Sequence, residues 1–560
     1  MRRNLSGLTL TMALVMIVTM FGGCGSKAPQ STTTSTESTV SEQASPTTAA
    51  TNPDELEYIA AAKTPVTLSI FFNNASANID LWGKDEVSKY FIEKTGVNLK
   101  MEKNTGTDDQ KLMLLIASQN LPDIVIANKD SAPMSKMISS DMIYTYDELV
   151  DQYAPNFKKM PIFSSNRKYL LKNDKLYYLT SWMTDRSKLD QNVIVAGRSG
   201  YYLRKDQFEK LGSPVIKTPD ELENYLKSVK TQFKDIIHPL MLWNPSGDSG
   251  ESFTGINVLY QSFGGAGSKY FMSGDKVNLM VRDPKYMDTL LYINKLYREG
   301  LINASDFTDK PEQQQQNNRT GKLGVAAGGL WYRNESDQLT KVIPTASYSA
   351  IDPILANGVD KFFQPAGGFD GLDAMVITKK STTADRAIKF IEFLATDDAQ
   401  AVASCGPQAK YWDLGGPNNN WIVPKAELKT AFSDWNKFQS TVGGYLYTWI
   451  GNSYIDSQFC WGLAADDVEK KKVYELEAKV TDYSEFDGIE PAPGSPESVI
   501  AAKINSNWAN FMAKICLANS EAASKNAYNE MITKLDTLEL SKLEDIWTKN
   551  HTERKAMFGY

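Results

Sequence analysis

The run Leu121-Pro-Asp-Ile-Val-Ile-Ala127 constrains this chain more than any other stretch. Its apolar, β-branched core has no polar alternation, which suits a strand covered on both faces, as in sheets of parallel strands flanked by helices. Upstream, Val66, Leu68, Ile70 and Phe72 alternate with Thr67, Ser69 and Phe71, giving a strand of period two that enters the polar stretch Asn73, Asn74, Ala75, Ser76. Between the two strands lie helical patterns at Asp85 to Lys94 and Asp109 to Ser118. Parallel pairing of the two strands is therefore expected, and binding groups in such sheets gather just beyond the strand ends.

The same alternation continues downstream. Thr218-Pro-Asp-Glu221 combines an N-cap, a first-turn proline and a capping-box glutamate, with Leu222, Tyr225, Leu226 and Val229 on one face. Asp283-Pro284 opens a second helix, with Tyr286, Leu290, Ile293 and Tyr297 on a stripe and Gly300 at its stop; Thr383 to Ala395 forms a third. Strands at Lys322 to Ala327 and Ala374 to Thr378 lie among them, and a long helical tail starts near Glu497. The pattern is α/β with a helical C-terminal region, and 560 residues exceed what one core can serve.

Arg2 and Arg3 precede an apolar run from Leu8 to Phe21, too short to span a bilayer and suited to an export signal over residues 1–23. Gly22, Gly23, Cys24, Gly25 and Ser26 resemble the lipobox of bacterial lipoproteins, in which the cysteine is lipidated and becomes the mature N-terminus; Phe21 stands where an aliphatic residue is usual. Residues 30 to 53 are Ser, Thr, Ala and Pro with almost no apolar bulk, so residues 24–55 read as a lipidated N-terminus and flexible tether. Such a chain works at the outer face of the cytoplasmic membrane.

Composition then removes whole classes of function. Sixty Lys and Arg against 67 Asp and Glu leave a formal charge of −7, with no basic excess for nucleic acid. Only His238 and His551 supply imidazole, and no GxxxxGK[ST], GxSxG or HExxH occurs, so metal and triad chemistry lose their usual parts. No cofactor or metal is expected. Asp108-Asp109, Asp397-Asp398 and Asp466-Asp467 read as solvated or capping charges, and the Gln313 to Gln316 run as a solvent-facing segment. Cys405, Cys460 and Cys516 read as small buried hydrophobes, although one pair could form.

The order of segments resembles the family 1 extracellular solute-binding proteins of bacterial ABC importers, in particular the large lipoprotein branch of Gram-positive bacteria that serves oligosaccharides. The resemblance rests on Leu121-Pro-Asp-Ile-Val125, Asn173-Asp-Lys-Leu-Tyr-Tyr178, Tyr202-Leu-Arg-Lys-Asp206 with Lys210-Leu-Gly212, and the Thr218 helix start. It continues through Leu296-Tyr-Arg-Glu-Gly-Leu301, Ile377-Thr-Lys-Lys-Ser381, Cys405-Gly-Pro-Gln-Ala-Lys-Tyr-Trp-Asp413 and Tyr528 to Trp547. Cys405 departs from the aromatic usual there, and Asn173-Asp174 replaces a glycine turn. The resemblance implies a periplasmic-binding-protein-like fold of two hinge-linked lobes. One lobe takes about 56–180 plus 372–440, and the other 181–371 plus about 441–560 with shared C-terminal helices. It implies a monomer that captures a carbohydrate, most simply an oligosaccharide, and hands it to a membrane permease.

A sugar offers apolar C–H faces and hydroxyl edges, so its binder needs flat aromatics and polar side chains. Candidates at expected strand ends are Asn74, Trp82, Asn128 and Asp130; further candidates are Trp182, Trp243 with Asp248, Trp331, and Phe369 with Asp370. Tight turns or core packing would serve the same residues. A peptide or amino-acid receptor is the alternative within the binding class, and an adhesion protein without a small ligand is another. A glycoside hydrolase would need two placed carboxylates, for which Asp370 and Asp373 are the nominees; no enzyme is expected.

Overall fold

The Leu121 run delivers its strand, Ile124–Asn128, to the interior of a six-stranded sheet. In this computed structural model the described residues are 56–558, apart from 76, 106–108, 173, 185–187, 189–198, 245–253, 330, 363, 366–370, 469–470, 472–479, 482–483, 487 and 493. Across the sheet the strands run Gly451–Asn452, Leu179–Met183, Asp373–Ile377, Ile124–Asn128, Val66–Phe72 and Val97–Lys103. Val66–Phe72 pairs parallel with both Val97–Lys103 and Ile124–Asn128, whereas Asp373–Ile377 runs antiparallel to its two neighbours. Five strands thus end at one edge of the sheet, where the sixth begins.

Asp123 explains why its strand sits where it does. Its Oδ2 accepts from the Ser69 amide and hydroxyl at 2.8 and 2.6 Å, and its Oδ1 accepts from Ser381 Oγ at 2.6 Å. Burial pushes this carboxyl up, but the Ser381 and Ser69 hydrogen bonds outweigh it and hold the group below its ordinary value. One side chain clasps the first strand, its own strand and the turn after the returning one.

A second sheet orders Tyr348–Ala350, Ser199–Arg204, Leu323–Gly329 and His238–Leu242. Its side chains alternate between two cores, Leu323 at the strand's start excepted. Tyr201, Leu203, Leu240, Leu242, Val325 and Ala327 enter the large core beneath the helices Pro219–Gln232 and Pro284–Arg298. Tyr202, Met241, Trp243 and Ala326 enter a smaller core on the opposite face with Leu339 and Tyr348. The expected caps are present: Thr218 and Glu221 form a reciprocal capping box, and Asp283 caps Pro284–Arg298.

The two sheets belong to two lobes. The first core gathers Leu56 to Met183 and then Ala374 to Phe459. The second takes Tyr201 to Ile354 and then Phe486 to Trp547, including the helices Pro496–Cys516, Glu521–Thr537 and Leu540–Phe558. Among the described residues the chain leaves one core for the other three times, after Met183, before Ala374 and after Phe459. Two of these passages pair directly, Gln364–Pro365 lying parallel to Val480–Thr481.

The glutamine run is only partly solvent-facing. It lies in the helix Pro311–Arg319, and Gln314 turns inward to donate to the Leu242 and Asp306 carbonyls and to accept from Asn244 N. The three described cysteines are buried and free. Among the described residues no helix is long and apolar enough to cross a membrane.

Candidate functional site at the edge of the first sheet

Where Leu179–Met183 ends, Trp182 stands 36% exposed with its backbone at φ +54°, a conformation that bulky L-residues rarely adopt. Its indole lies flat on the Tyr445 ring, with centroids 6.1 Å apart and planes 10° from parallel. Tyr445 is itself at φ +62°, just after Gly443-Gly444, and Trp435, 44% exposed, packs on it at 5.6 Å. Two aromatic residues held in costly backbone conformations to present a flat exposed surface mark a place where strain is retained for function.

Hydrogen bonds brace this platform from beneath. Ser453 Oγ donates to the Trp182 carbonyl at 2.6 Å, and Tyr445 Oη donates to Asp456 Oδ1 at 2.6 Å. Asn452, in left-handed backbone at φ +86°, donates its amide to Gln400 Oε1 and accepts from Ser404 Oγ. Its Nδ2 stays buried and unpartnered, as do Thr184 Oγ1 and Gln458 Oε1.

The same edge carries Asn74 and Asn128, both exposed. Asn128 Oδ1 accepts from the Asp130 amide at 2.9 Å, leaving its Nδ2 without a partner among the described residues. Asp130 is engaged by Lys129 at 2.7 Å and Lys172 at 3.7 Å. Directly across the ladder from Asn128 stands Asp373, half-buried, with no hydrogen bond or ion pair to its side chain among the described residues. Burial raises its carboxyl above the usual aspartate value.

Other candidates fall elsewhere. Trp82 is half-buried in an aromatic cluster, stacked on Trp449 at 6.0 Å and edge-on to Tyr447 at 5.3 Å, with its Nε1 unpartnered. Trp243 is 9% exposed and packs in the smaller core of the second lobe. Trp331 opens the helix Trp331–Val342 directly after the strand Leu323–Gly329, at the matching edge of the second sheet, but its side chain lies outside the described residues. Asp248, Phe369, Asp370 and Cys24 also lie outside them.

Tyr445, Asn452 and Thr184 escaped the sequence reading, and Asp373 entered it only as a hydrolytic nominee. The doublet Gly443-Gly444 before Tyr445 was the available signal. His238 is fully engaged away from this edge, with Nδ1 2.6 Å from the buried Asp306 carboxylate and Nε2 3.2 Å from Asn317 Nδ2. Among the described residues no three His, Cys, Asp or Glu side chains converge to hold a metal ion. A surface hollow lined by Asp147, Asp151, Lys158, Phe163, Ser164 and Arg167 is bridged by its own ion pairs, Arg167 with Asp147 and Lys158 with Asp151. The strand-end edge, with its unpaired groups, is the better site.

Residues 77–401 match the family described as bacterial extracellular solute-binding protein. The fructooligosaccharide ABC transporter substrate-binding protein FusA of Streptococcus pneumoniae serotype 4 (strain ATCC BAA-334 / TIGR4) is 23% identical over 62% of this chain and 62% of its own length. The polygalacturonan/rhamnogalacturonan-binding protein YtcQ of Bacillus subtilis (strain 168) is 24% identical over 55% of this chain and 59% of its own. The matched regions thus span about three-fifths of each of these curated relatives. Among solved structures, an extracellular solute-binding protein from Bifidobacterium longum subsp. infantis superposes with a TM-score of 0.66, at 16% identity, over 88% of this chain and 98% of that one. The FusA structure in complex with kestose gives 0.62 at 17% identity, over 88% and 100%. At these identities the superpositions establish the two-lobed α/β fold.

Proposed function

The chain belongs to the bacterial extracellular solute-binding proteins, and from that premise we propose that it captures a carbohydrate, most simply an oligosaccharide, between its lobes and delivers it to the permease of an ABC importer. The observation that carries the carbohydrate reading is the Trp182 and Tyr445 pair, a flat aromatic stack at the same sheet edge as the exposed Asn128. Such a face gains from the C–H side of a sugar ring while exposed polar side chains along the edge take its hydroxyls. The names of FusA and YtcQ, both carbohydrate binders, support the same class.

Binding would close the lobes about their three passages, and the closed form would be the one the permease reads. The protein acts as a monomer without chemistry of its own, held by lipid on Cys24 at the outer face of the cytoplasmic membrane. Calorimetry and thermal shift against oligosaccharides, peptides and metal ions, with product analysis on each hit, test this reading. A ligand at a hundred times its dissociation constant should add about 2.7 kcal/mol of stability. Intact oligosaccharide on a stabilised protein is the expected result. Cleaved sugar would make the protein a hydrolase, and a response to peptides alone would make it a peptide receptor.

A further inference from the structure

Asp373 and Asn128 are direct partners in an antiparallel ladder, so their side chains leave the same face of the sheet with Cβ atoms about 5 Å apart. Both lie where the strands end. Asn128 holds its carbonyl oxygen on the Asp130 amide, which leaves its Nδ2 as a donor. Asp373 is half-buried beside the exposed Leu372 and has no partner among the described residues, so it offers only acceptors. A half-buried carboxylate without a hydrogen bond is costly, and nothing within the described fold offsets that cost.

The nearby cations do not serve Asp373. Lys129 and Lys172 are drawn to Asp130. The edge therefore presents one donor beside one negatively charged acceptor. That pairing matches two adjacent sugar hydroxyls, one donating to the carboxylate and the other accepting from the amide. A sugar carboxylate in the same place would set like charge against like in a partly desolvated setting.

We propose that Asp373, with Asn128 beside it, is the specificity-determining pair of the cleft, reading a vicinal diol and restricting the cargo to uncharged oligosaccharides. The assignment rests on the carbohydrate reading above and narrows it to neutral sugars.

The test uses the purified full-length mature chain and calorimetric titration with kestose, maltotriose, mannotriose and trigalacturonate. Wild type should bind at least one neutral trisaccharide about tenfold or more tighter than trigalacturonate. Asp373→Asn should weaken that neutral ligand by about ten- to a hundredfold, the range of a charged hydrogen bond, and should narrow the gap to trigalacturonate. Asn128→Ala should weaken it by less, since a neutral bond is lost. Because the Asp373 side chain makes no hydrogen bond or ion pair among the described residues, Asp373→Asn should melt at or above the wild-type temperature, which separates lost recognition from lost folding. Trigalacturonate binding wild type as tightly as the neutral sugars, or Asp373→Asn binding its neutral ligand unchanged, overturns the assignment while leaving the carbohydrate reading intact. Failure of all four sugars to bind, with a peptide bound instead, overturns both.

Discussion

Trp182 and Tyr445 come from segments more than 250 residues apart, yet their rings lie face to face at 6.1 Å, each on a residue with positive φ. Holding an L-residue in that region costs roughly 1–2 kcal/mol, so the pair is not explained by packing economy. Trp182→Gly relieves the strain and removes the exposed ring together. Affinity for the bound oligosaccharide should fall about tenfold or more, while the melting temperature stays within about 2 °C of wild type, since stacking on an exposed ring contributes only about 1 kcal/mol. A large loss of stability with affinity retained would make Trp182 a packing residue.

Gly371 fixes the first sheet's edge in another way. A Cβ built there would sit 1.8 Å from the Ser181 carbonyl oxygen, at φ +59°. The backbone of the returning passage thus lies directly against the outgoing strand. Gly371→Ala should cost about 2–4 kcal/mol, combining left-handed strain with displaced backbone. Gly212→Ala provides the control, because φ is +82° but nothing lies within 4 Å, so only the conformational cost of about 1 kcal/mol remains. Denaturant titration of the two variants separates steric from torsional cost, and equal losses would refute the close approach.

Much of the first lobe was legible in the sequence because its signals are local. Period two at Val66 and the uninterrupted run at Ile124, like the capping box at Thr218 in the second lobe, each depend on neighbours in the chain, and each element forms where expected. The site was less legible because its parts are joined by topology. Tyr445 and Asn452 reach Trp182 only after a short two-residue strand, Gly451–Asn452, adds to the sheet edge, and a two-residue strand leaves no periodicity to read. Trp243 shows the converse: an aromatic beside the polar, Gly- and Pro-containing stretch to Asp248 was a ligand candidate, but strand parity turns it into the smaller core of the second lobe.

Glu392 shows what burial does to a carboxyl that local pattern cannot flag. It is fully buried in the helix Ala384–Leu394, where it accepts from the Tyr58 amide and faces Glu57, whose Oε1 is bonded to Asn156. Burial first, and Glu57 second, push its pKa up to about 9, so at neutral pH the pair shares a proton. A folded-state value raised above the unfolded one gives stability that is complete below pH 4.5 and is lost as pH rises toward about 9, at up to about 1.4 kcal/mol per pH unit. Glu392→Gln donates to Glu57 without needing that proton. Melting temperatures of wild type should therefore decline from pH 5 to 9 more steeply than those of the variant, and parallel curves would show that the pair does not share a proton.

Glu490 gives the opposite sign in the second lobe. It receives Lys269, the Tyr270 hydroxyl at 2.7 Å and Trp547 Nε1 at 3.1 Å, so one carboxylate joins the third passage to a hairpin strand and to the last helix. Burial pushes its pKa up, but Lys269 and the hydrogen bonds from Tyr270 and Trp547 prevail and hold it below the ordinary glutamate value. Its contribution is present above the unfolded glutamate value and is lost as pH falls through the folded one. Glu490→Gln keeps the shape and removes the charge. With the side chain 38% exposed, solvent screening limits the loss to about 1 kcal/mol at pH 7, and the difference from wild type should vanish on acidification to pH 3. Because the helix Leu540–Phe558 closes the second core through Leu543 and Trp547, the variant should also be cut sooner by protease near that helix. Faster cleavage at pH 7 that disappears at pH 3, followed with an acid-active protease, would tie the helix to this charge; cleavage unchanged at both would leave apolar packing alone to hold it.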